Sequence, residues 1–82
     1  MIFTHTSNGP YFVKRLDTGP RFTQVAAGFP RRSAGWAWLI DWANTHGYEV
    51  FFHEIDAEND AIDAMLLKGG MLYQYAVERN KA

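Results

Sequence analysis

Two glycine–proline dipeptides, ten residues apart, set the strongest limit on how this chain can fold. Gly9-Pro10 and Gly19-Pro20 each follow two polar residues that are typical of turns. Such turns end a strand, and proline is tolerated at the start of the next strand. The segments 2–6, 11–16 and 21–26 are rich in β-branched and aromatic residues. We therefore predict an antiparallel meander of three short strands.

The middle of the chain predicts a helix followed by a strand. Apolar residues recur at helical spacing from about residue 33 to residue 46, with Ser33 suited to the N-cap and Gly47 to a left-handed C-terminal stop. Residues 48–55 then read as a strand. Because Val50-Phe51-Phe52 places apolar side chains on both faces, we expect this strand inside the sheet.

The last third predicts a second helix and a final strand. Asp56 is expected to cap a helix over about residues 57–68, whose first turn is acidic. Residues 71–78 alternate in polarity and favour a last strand, with a helix as the alternative. The expected fold is a single α+β domain over residues 1–82, of order βββαβαβ, with a mostly antiparallel sheet packed against two helices.

Composition indicates what kind of core the domain has and which cellular compartment suits it. The chain has 82 residues, no cysteine and 16% aromatic residues, so one aromatic-rich core must form without disulfides. A small domain without cysteine favours a reducing compartment, and we expect the cytoplasm. No apolar run approaches the roughly 20 residues of a membrane helix. The N-terminus also lacks the pattern of a secretory signal.

The net charge of −1 hides an asymmetry along the chain. Residues 1–32 hold five basic residues against one acidic residue, whereas residues 33–70 hold one basic residue against seven acidic ones. An acidic surface predicts a protein partner with a Lys/Arg-rich surface, including a groove that normally holds nucleic acid. The candidate residues are Glu49, Glu54, Asp56, Glu58, Asp60 and Asp63. The alternatives are nucleic-acid binding by the basic N-terminal sheet and an ordinary solvated surface.

A second candidate site is the edge of the predicted first helix. Three tryptophans fall within seven residues, and Trp38 lies at the border of the apolar stripe. If it is exposed near Arg31 and Arg32, it forms an apolar patch with a charged rim, which is typical of a protein interface. A homo-oligomer with the tryptophan helix at a symmetric interface is the alternative.

Motifs for catalysis and metal binding are absent from the sequence. The acidic run lacks the glycine and glutamate that a calcium loop requires. His53 and Glu54 point to opposite faces of a strand, so they cannot share a metal ion. Ser7 and Ser33 lie outside any nucleophile motif. We therefore expect a non-enzymatic protein with no metal and no cofactor.

Small size, lack of cysteine, an acidic face and lack of catalytic motifs give the chain a resemblance in character to small phage-encoded inhibitors, of which anti-CRISPR proteins are one class. The resemblance implies that the chain blocks a nucleic-acid-handling complex in the host cytoplasm, by steric hindrance or charge mimicry. It assigns a role to no individual residue.

Overall fold

One antiparallel sheet of five strands and one helix make up the part of the chain that the computed structural model describes, residues 9–17 and 19–80. The strand order across the sheet is β2-β1-β5-β4-β3. The helix packs against one face of this sheet and contacts every strand. The elements are β1 (Tyr11–Leu16), β2 (Phe22–Phe29), α1 (Arg32–Thr45), β3 (Glu49–Asp56), β4 (Ala61–Lys68) and β5 (Met71–Arg79).

The predicted second helix is wrong, and with it the order βββαβαβ and the packing against two helices. Residues 61–68 form β4, which pairs with β3 on one side and β5 on the other. Asp56 does not cap a helix; its carboxylate accepts hydrogen bonds from the backbone and side chain of Asn59, at 3.2 and 2.8 Å. These bonds close a turn over residues 57–60. A side chain that bonds locally stabilises such a turn as well as it stabilises a helix start.

The predicted meander of segments 2–6, 11–16 and 21–26 is partly wrong. The hairpin of β1 and β2 forms, but the other side of β1 pairs with β5, so both edges of β1 are occupied. The predicted strand over residues 2–6 lies outside the described residues. Antiparallel pairing throughout the sheet also leaves no parallel crossover.

Strand β3 lies at the edge of the sheet, not inside it as predicted. Val50 pairs with Leu66 and Phe52 pairs with Met65, so Phe51 is an extra residue between them. A β-bulge of this kind interrupts the alternation of faces. Three consecutive apolar residues therefore arise here from a bulge and not from burial on both faces.

The helix α1 and the strand β5 were correctly predicted. Ser33 is not the N-cap; Arg31 takes that position without a side-chain capping bond. Gly47 does end the helix in the left-handed conformation, with φ of 81°. The Tyr48 amide then donates to the Ala43 carbonyl at 2.8 Å, which closes a Schellman turn.

The core lies between α1 and the three central strands. Val13 from β1, Tyr75 and Val77 from β5 and Leu66 from β4 are fully buried against Leu39 of the helix. A Cβ atom on Gly35 would lie 2.8 Å from Cγ1 of Val77. The absence of a side chain at this position therefore lets the helix approach the sheet closely.

Candidate functional site

The face of the sheet opposite α1 carries no other described element, and we call it the open face. Buried side chains of β4 and β5, such as Ile62 and Val77, point toward the helix. Since side chains alternate along a strand, their neighbours point the other way. The strand register assigns the following residues to the open face: Phe12, Lys14, Leu16, Phe22, Gln24, Ala27, Glu49, Phe52, Glu54, Asp56, Ala61, Asp63, Met65, Leu67, Leu72, Gln74, Ala76 and Glu78.

One half of the open face is apolar. Phe52 is 54% exposed and Leu72 is 45% exposed, and half-buried Met65 and Leu67 lie between them on β4. At the other edge of the same face, on β2, Phe22 is 49% exposed, and its ring lies 6.1 Å from that of Phe12. Single exposed apolar residues are ordinary, but a contiguous group on one sheet face marks a surface suited to contact.

A row of carboxylates crosses the same face beside the apolar group. Glu54 on β3 lies directly opposite Asp63 on β4. Partial burial raises the pKa of Asp63 above its ordinary value, and the negative charges of Asp56, Glu78 and Glu54 raise it further. Like charges directly opposite each other on a sheet destabilise it. These carboxylates therefore weaken the isolated domain.

Lys14, the one lysine of the described strands that lies on the open face, offsets part of this charge. The Nζ atom of Lys14 lies 3.0 Å from a carboxylate oxygen of Glu78 and 4.7 Å from the centre of the Phe22 ring. The charge of Lys14 also lowers the pKa of Asp63, but this effect is smaller than the opposing effects. Among residues 9–17 and 19–80, the register places five carboxylates on this face, those of Glu49, Glu54, Asp56, Asp63 and Glu78, against this one ammonium.

The structure divides the six acidic residues predicted from the sequence. Four of them, Glu49, Glu54, Asp56 and Asp63, share the open face. Glu58 is exposed in the β3–β4 turn. Asp60 faces the helix side, where it accepts a hydrogen bond from the Tyr11 hydroxyl and lies 3.3 Å from Nη1 of Arg32. The six residues therefore do not form one surface: four share the open face, Glu58 lies in the turn and Asp60 lies on the helix side.

Trp38, predicted to be the exposed tryptophan, is half-buried. Its ring lies 6.0 Å from those of Phe29 and Trp42, within an aromatic cluster between α1 and the sheet. The tryptophan that accompanies Arg31 and Arg32 is instead Trp36, which lines a cleft with both arginines. The predicted grouping of Trp38 with these arginines is therefore replaced by a grouping with Trp36.

This cleft has a volume of about 440 Å³ and lies between the start of α1 and strands β3 and β4. Its walls are Tyr11, Arg31, Arg32, Ser33, Trp36, Ile55, Asp60 and Ile62. Asp60 has a φ of 54°, a left-handed conformation that aspartate tolerates better than most residues. In this turn the Asp60 carboxylate contacts both Tyr11 and Arg32.

Sequence reasoning did not identify Phe52, Met65, Leu67 or Leu72 as site residues. Met65 and Leu67 could have been found by reading residues 61–68 as a strand, because Ile62, Ala64 and Leu66 then share one face and Met65 and Leu67 the other. The same segment also fits a helical period, and the acidic residues before it resemble a helix start. The sequence therefore favoured a helix over residues 57–68.

Residues 9–17 and 19–80 were searched for groups of metal-ligating side chains and for membrane-spanning helices. No three His, Asp or Glu side chains are placed there to hold a metal ion. His53 packs against Trp36 at 5.0 Å between ring centres, and Nδ1 of His46 lies 2.8 Å from the Trp42 carbonyl. Within the same residues, no helix is long and apolar enough to cross a membrane.

Comparison with known proteins gives no match for this chain among protein-family models, curated proteins or solved structures.

Proposed function

We propose that this chain is a non-enzymatic protein-binding module that docks its open face onto a Lys/Arg-rich surface of a partner protein. The observation that carries the proposal is the pair Glu54 and Asp63, directly opposite each other beside exposed apolar side chains. This pair costs the isolated fold stability. A cation from a partner would offset that cost, so the arrangement suits a bound state better than a free one.

The apolar half of the open face favours a protein as the partner. Phe52 and Leu72 leave about half of their surface exposed beside Met65 and Leu67. Removing apolar surface from water contributes about 25 cal/mol per Å² buried. Apolar groups next to charges of one sign match a surface with apolar side chains between lysines and arginines.

Charge argues against a second copy of the chain as the occupant. Two open faces packed against each other would bring five carboxylates from each copy together, with one lysine from each. Like charges brought together at an interface cost several kcal/mol. The same charge would repel the phosphates of a nucleic acid that approached this face.

The basic residues of the first two strands favour direct nucleic-acid binding less than the sequence suggested. Lys14 is paired with Glu78, and Nε of Arg15 lies 3.2 Å from a carboxylate oxygen of Asp17. A phosphate would have to compete with both carboxylates. Direct nucleic-acid binding by this chain is therefore one outcome of the test below. For the protein partner, we propose that its basic surface is one that itself holds nucleic acid. Inhibition of such a complex is the function implied by the resemblance to anti-CRISPR proteins.

The experiment compares partner capture by three forms of the tagged protein in the cells that produce it. The face variant carries Glu54→Gln and Asp63→Asn. The control variant carries Asp41→Asn and Glu58→Gln, which remove the same charge from exposed positions in α1 and the β3–β4 turn. We expect one identified partner to bind the wild type and the control at least tenfold better than the face variant. Equal capture by all three forms would refute the proposal.

A labelled oligonucleotide distinguishes the two classes of partner. We expect no binding by the protein alone at low salt, and we expect the protein to displace the oligonucleotide from the captured partner. Direct binding that falls steeply as salt rises would support the nucleic-acid hypothesis instead.

A further inference from the structure

The cleft on the helix side of the sheet is a separate concave site with both apolar walls and polar groups. Its volume of about 440 Å³ lies within the roughly 300–1,000 Å³ of small-molecule sites. Ile55 and Ile62 form part of its wall, and Trp36 lies across from them on α1. Ile55 faces the helix side of the sheet and the open face lies on the other side, so the two sites are independent.

Positive charge exceeds negative charge around this cleft. The Asp60 carboxylate lies 3.3 Å from Nη1 of Arg32 and 4.0 Å from Nη1 of Arg79, and it also accepts a hydrogen bond from the Tyr11 hydroxyl. Arg31 makes no ion pair with any residue of the described part. Two guanidinium groups, those of Arg32 and Arg79, therefore share one carboxylate, and Arg31 adds a third positive charge to the wall of the cleft.

The arginines in the wall retain unused hydrogen-bond donors. A guanidinium carries five N–H groups in a fixed fork, and this geometry matches carboxylate and phosphate oxygens. Arg32 directs Nη1 to Asp60, which leaves its other nitrogens for a second acceptor. Arg31 has its whole fork available among the described residues, and it is exposed. The polar end of the cleft is thus suited to an anion.

The apolar end of the cleft is suited to a flat hydrocarbon group. Ile55 is 57% exposed although it points toward the helix side, because it lies on the edge strand. Trp36 is half-buried, and its ring is supported by His53 at 5.0 Å. A ring placed between Ile55 and Trp36 would cover apolar surface that the chain itself leaves open.

From these contacts we propose that the cleft binds a small aromatic anion, a ring that carries a carboxylate or a phosphate group. The ring packs between Ile55 and Trp36. The anionic group accepts hydrogen bonds from Arg31 and Arg32. Asp60 holds Arg32 in position and does not contact the anion, because the two would repel each other.

The test is an NMR titration of ¹⁵N-labelled protein with four probes. Phenyl phosphate and benzoate carry both the ring and the anion, inorganic phosphate carries the anion only, and benzyl alcohol carries the ring only. We expect phenyl phosphate or benzoate to shift the Trp36 indole N–H and the Arg31–Ser33 amides, with a dissociation constant at least tenfold lower than that of either half-probe. The stronger of the two complete probes then identifies the anion.

Variants show whether the arginines and the apolar wall bind the probe. Arg31→Gln and Ile55→Ser should each weaken binding of the better probe at least fivefold, whereas Arg21→Gln, an arginine outside the cleft, should leave it unchanged. Arg31 has no ion pair in residues 9–17 and 19–80, so its variant should keep the fold. The proposal would be overturned if inorganic phosphate bound as tightly as phenyl phosphate, or if all variants bound the better probe equally tightly. Neither result bears on the open face.

Discussion

Replacing Asp63 with asparagine should stabilise the domain at neutral pH. Asparagine has nearly the same shape, and the Asp63 side chain makes no hydrogen bond or ion pair with another described residue, so the change removes mainly the charge opposite Glu54. Cross-strand pairs contribute roughly 0.2–1 kcal/mol, and like charges destabilise by a similar amount. For a domain of this size, about 1 kcal/mol shifts the midpoint of thermal unfolding by roughly 4–8 °C. We therefore expect an increase of about 1–8 °C at pH 7.

The pH dependence of this difference identifies its cause. The pKa of Asp63 is raised in the folded protein above its ordinary value of 3.8, so the folded state binds this proton more tightly than the unfolded state. The contribution of Asp63 to stability is then fully favourable below 3.8 and is lost as pH rises through the folded pKa. The advantage of the asparagine variant should therefore be present at pH 7 and disappear below about pH 3.8.

Thermal unfolding followed by circular dichroism between pH 3 and pH 8 measures this difference. Glu49→Gln is the matched control, because Glu49 lies on the same face opposite Leu67 and not opposite a carboxylate. High salt should also reduce the gain from Asp63→Asn, since in 1 M salt the interaction between exposed charges is screened beyond about 3 Å. An asparagine variant that is less stable than the wild type at pH 7, or a difference independent of pH, would refute the reasoning.

Three further changes test the rest of the structure. Leu39→Ala should lower the free energy of unfolding by about 2–5 kcal/mol in urea denaturation, because Leu39 is fully buried in the core; a loss under 1 kcal/mol would contradict its place there. Lys14→Met should raise the pKa of Asp63 further in a ¹³C carboxylate titration, because the charge of Lys14 lowers it; an unchanged pKa would contradict their proximity. Gly28→Ala should destabilise by about 1 kcal/mol or more, because Gly28 has a φ of 88° at a shift in the β1–β2 register; an unchanged unfolding midpoint would contradict this geometry.

The elements with strong local signals could be predicted from the sequence. Strand β1 lies between two turn sequences, and α1 ends at Gly47 as its left-handed preference indicates. Strand β5 follows the Gly69-Gly70 turn and alternates in polarity. In each case the local preference and the final structure agree, so no long-range contact had to be known.

Strand β4 could not be predicted because its local signals favour two structures equally. Ile62, Met65 and Leu66 fit one side of a helix, and Asp56 fits a helix cap. Pairing with β3 and β5 on both sides decides for the strand. Both pairings join strands that are consecutive in sequence, but the pattern within residues 61–68 does not specify either of them.

The charges in the sequence predicted only part of the candidate site. The acidic stretch was visible in the sequence, but a helix at residues 57–68 would have placed Asp63 far from the register of Glu54. The strand places the two directly opposite and puts Met65 beside them on the same face. Asp60, adjacent in sequence to this group, lies on the other side of the sheet because of the turn.

The most direct test of the protein-binding proposal is carboxyl footprinting of the protein alone and in complex with its captured partner. Carbodiimide labelling with an amine probe modifies exposed Asp and Glu side chains, and mass spectrometry measures the modification at each one. We expect Glu54 and Asp63 to lose most of their labelling in the complex, while Asp41 on the exposed side of α1 keeps it. Protection of Asp41 with unchanged labelling of Glu54 and Asp63 would show that the partner does not bind the open face.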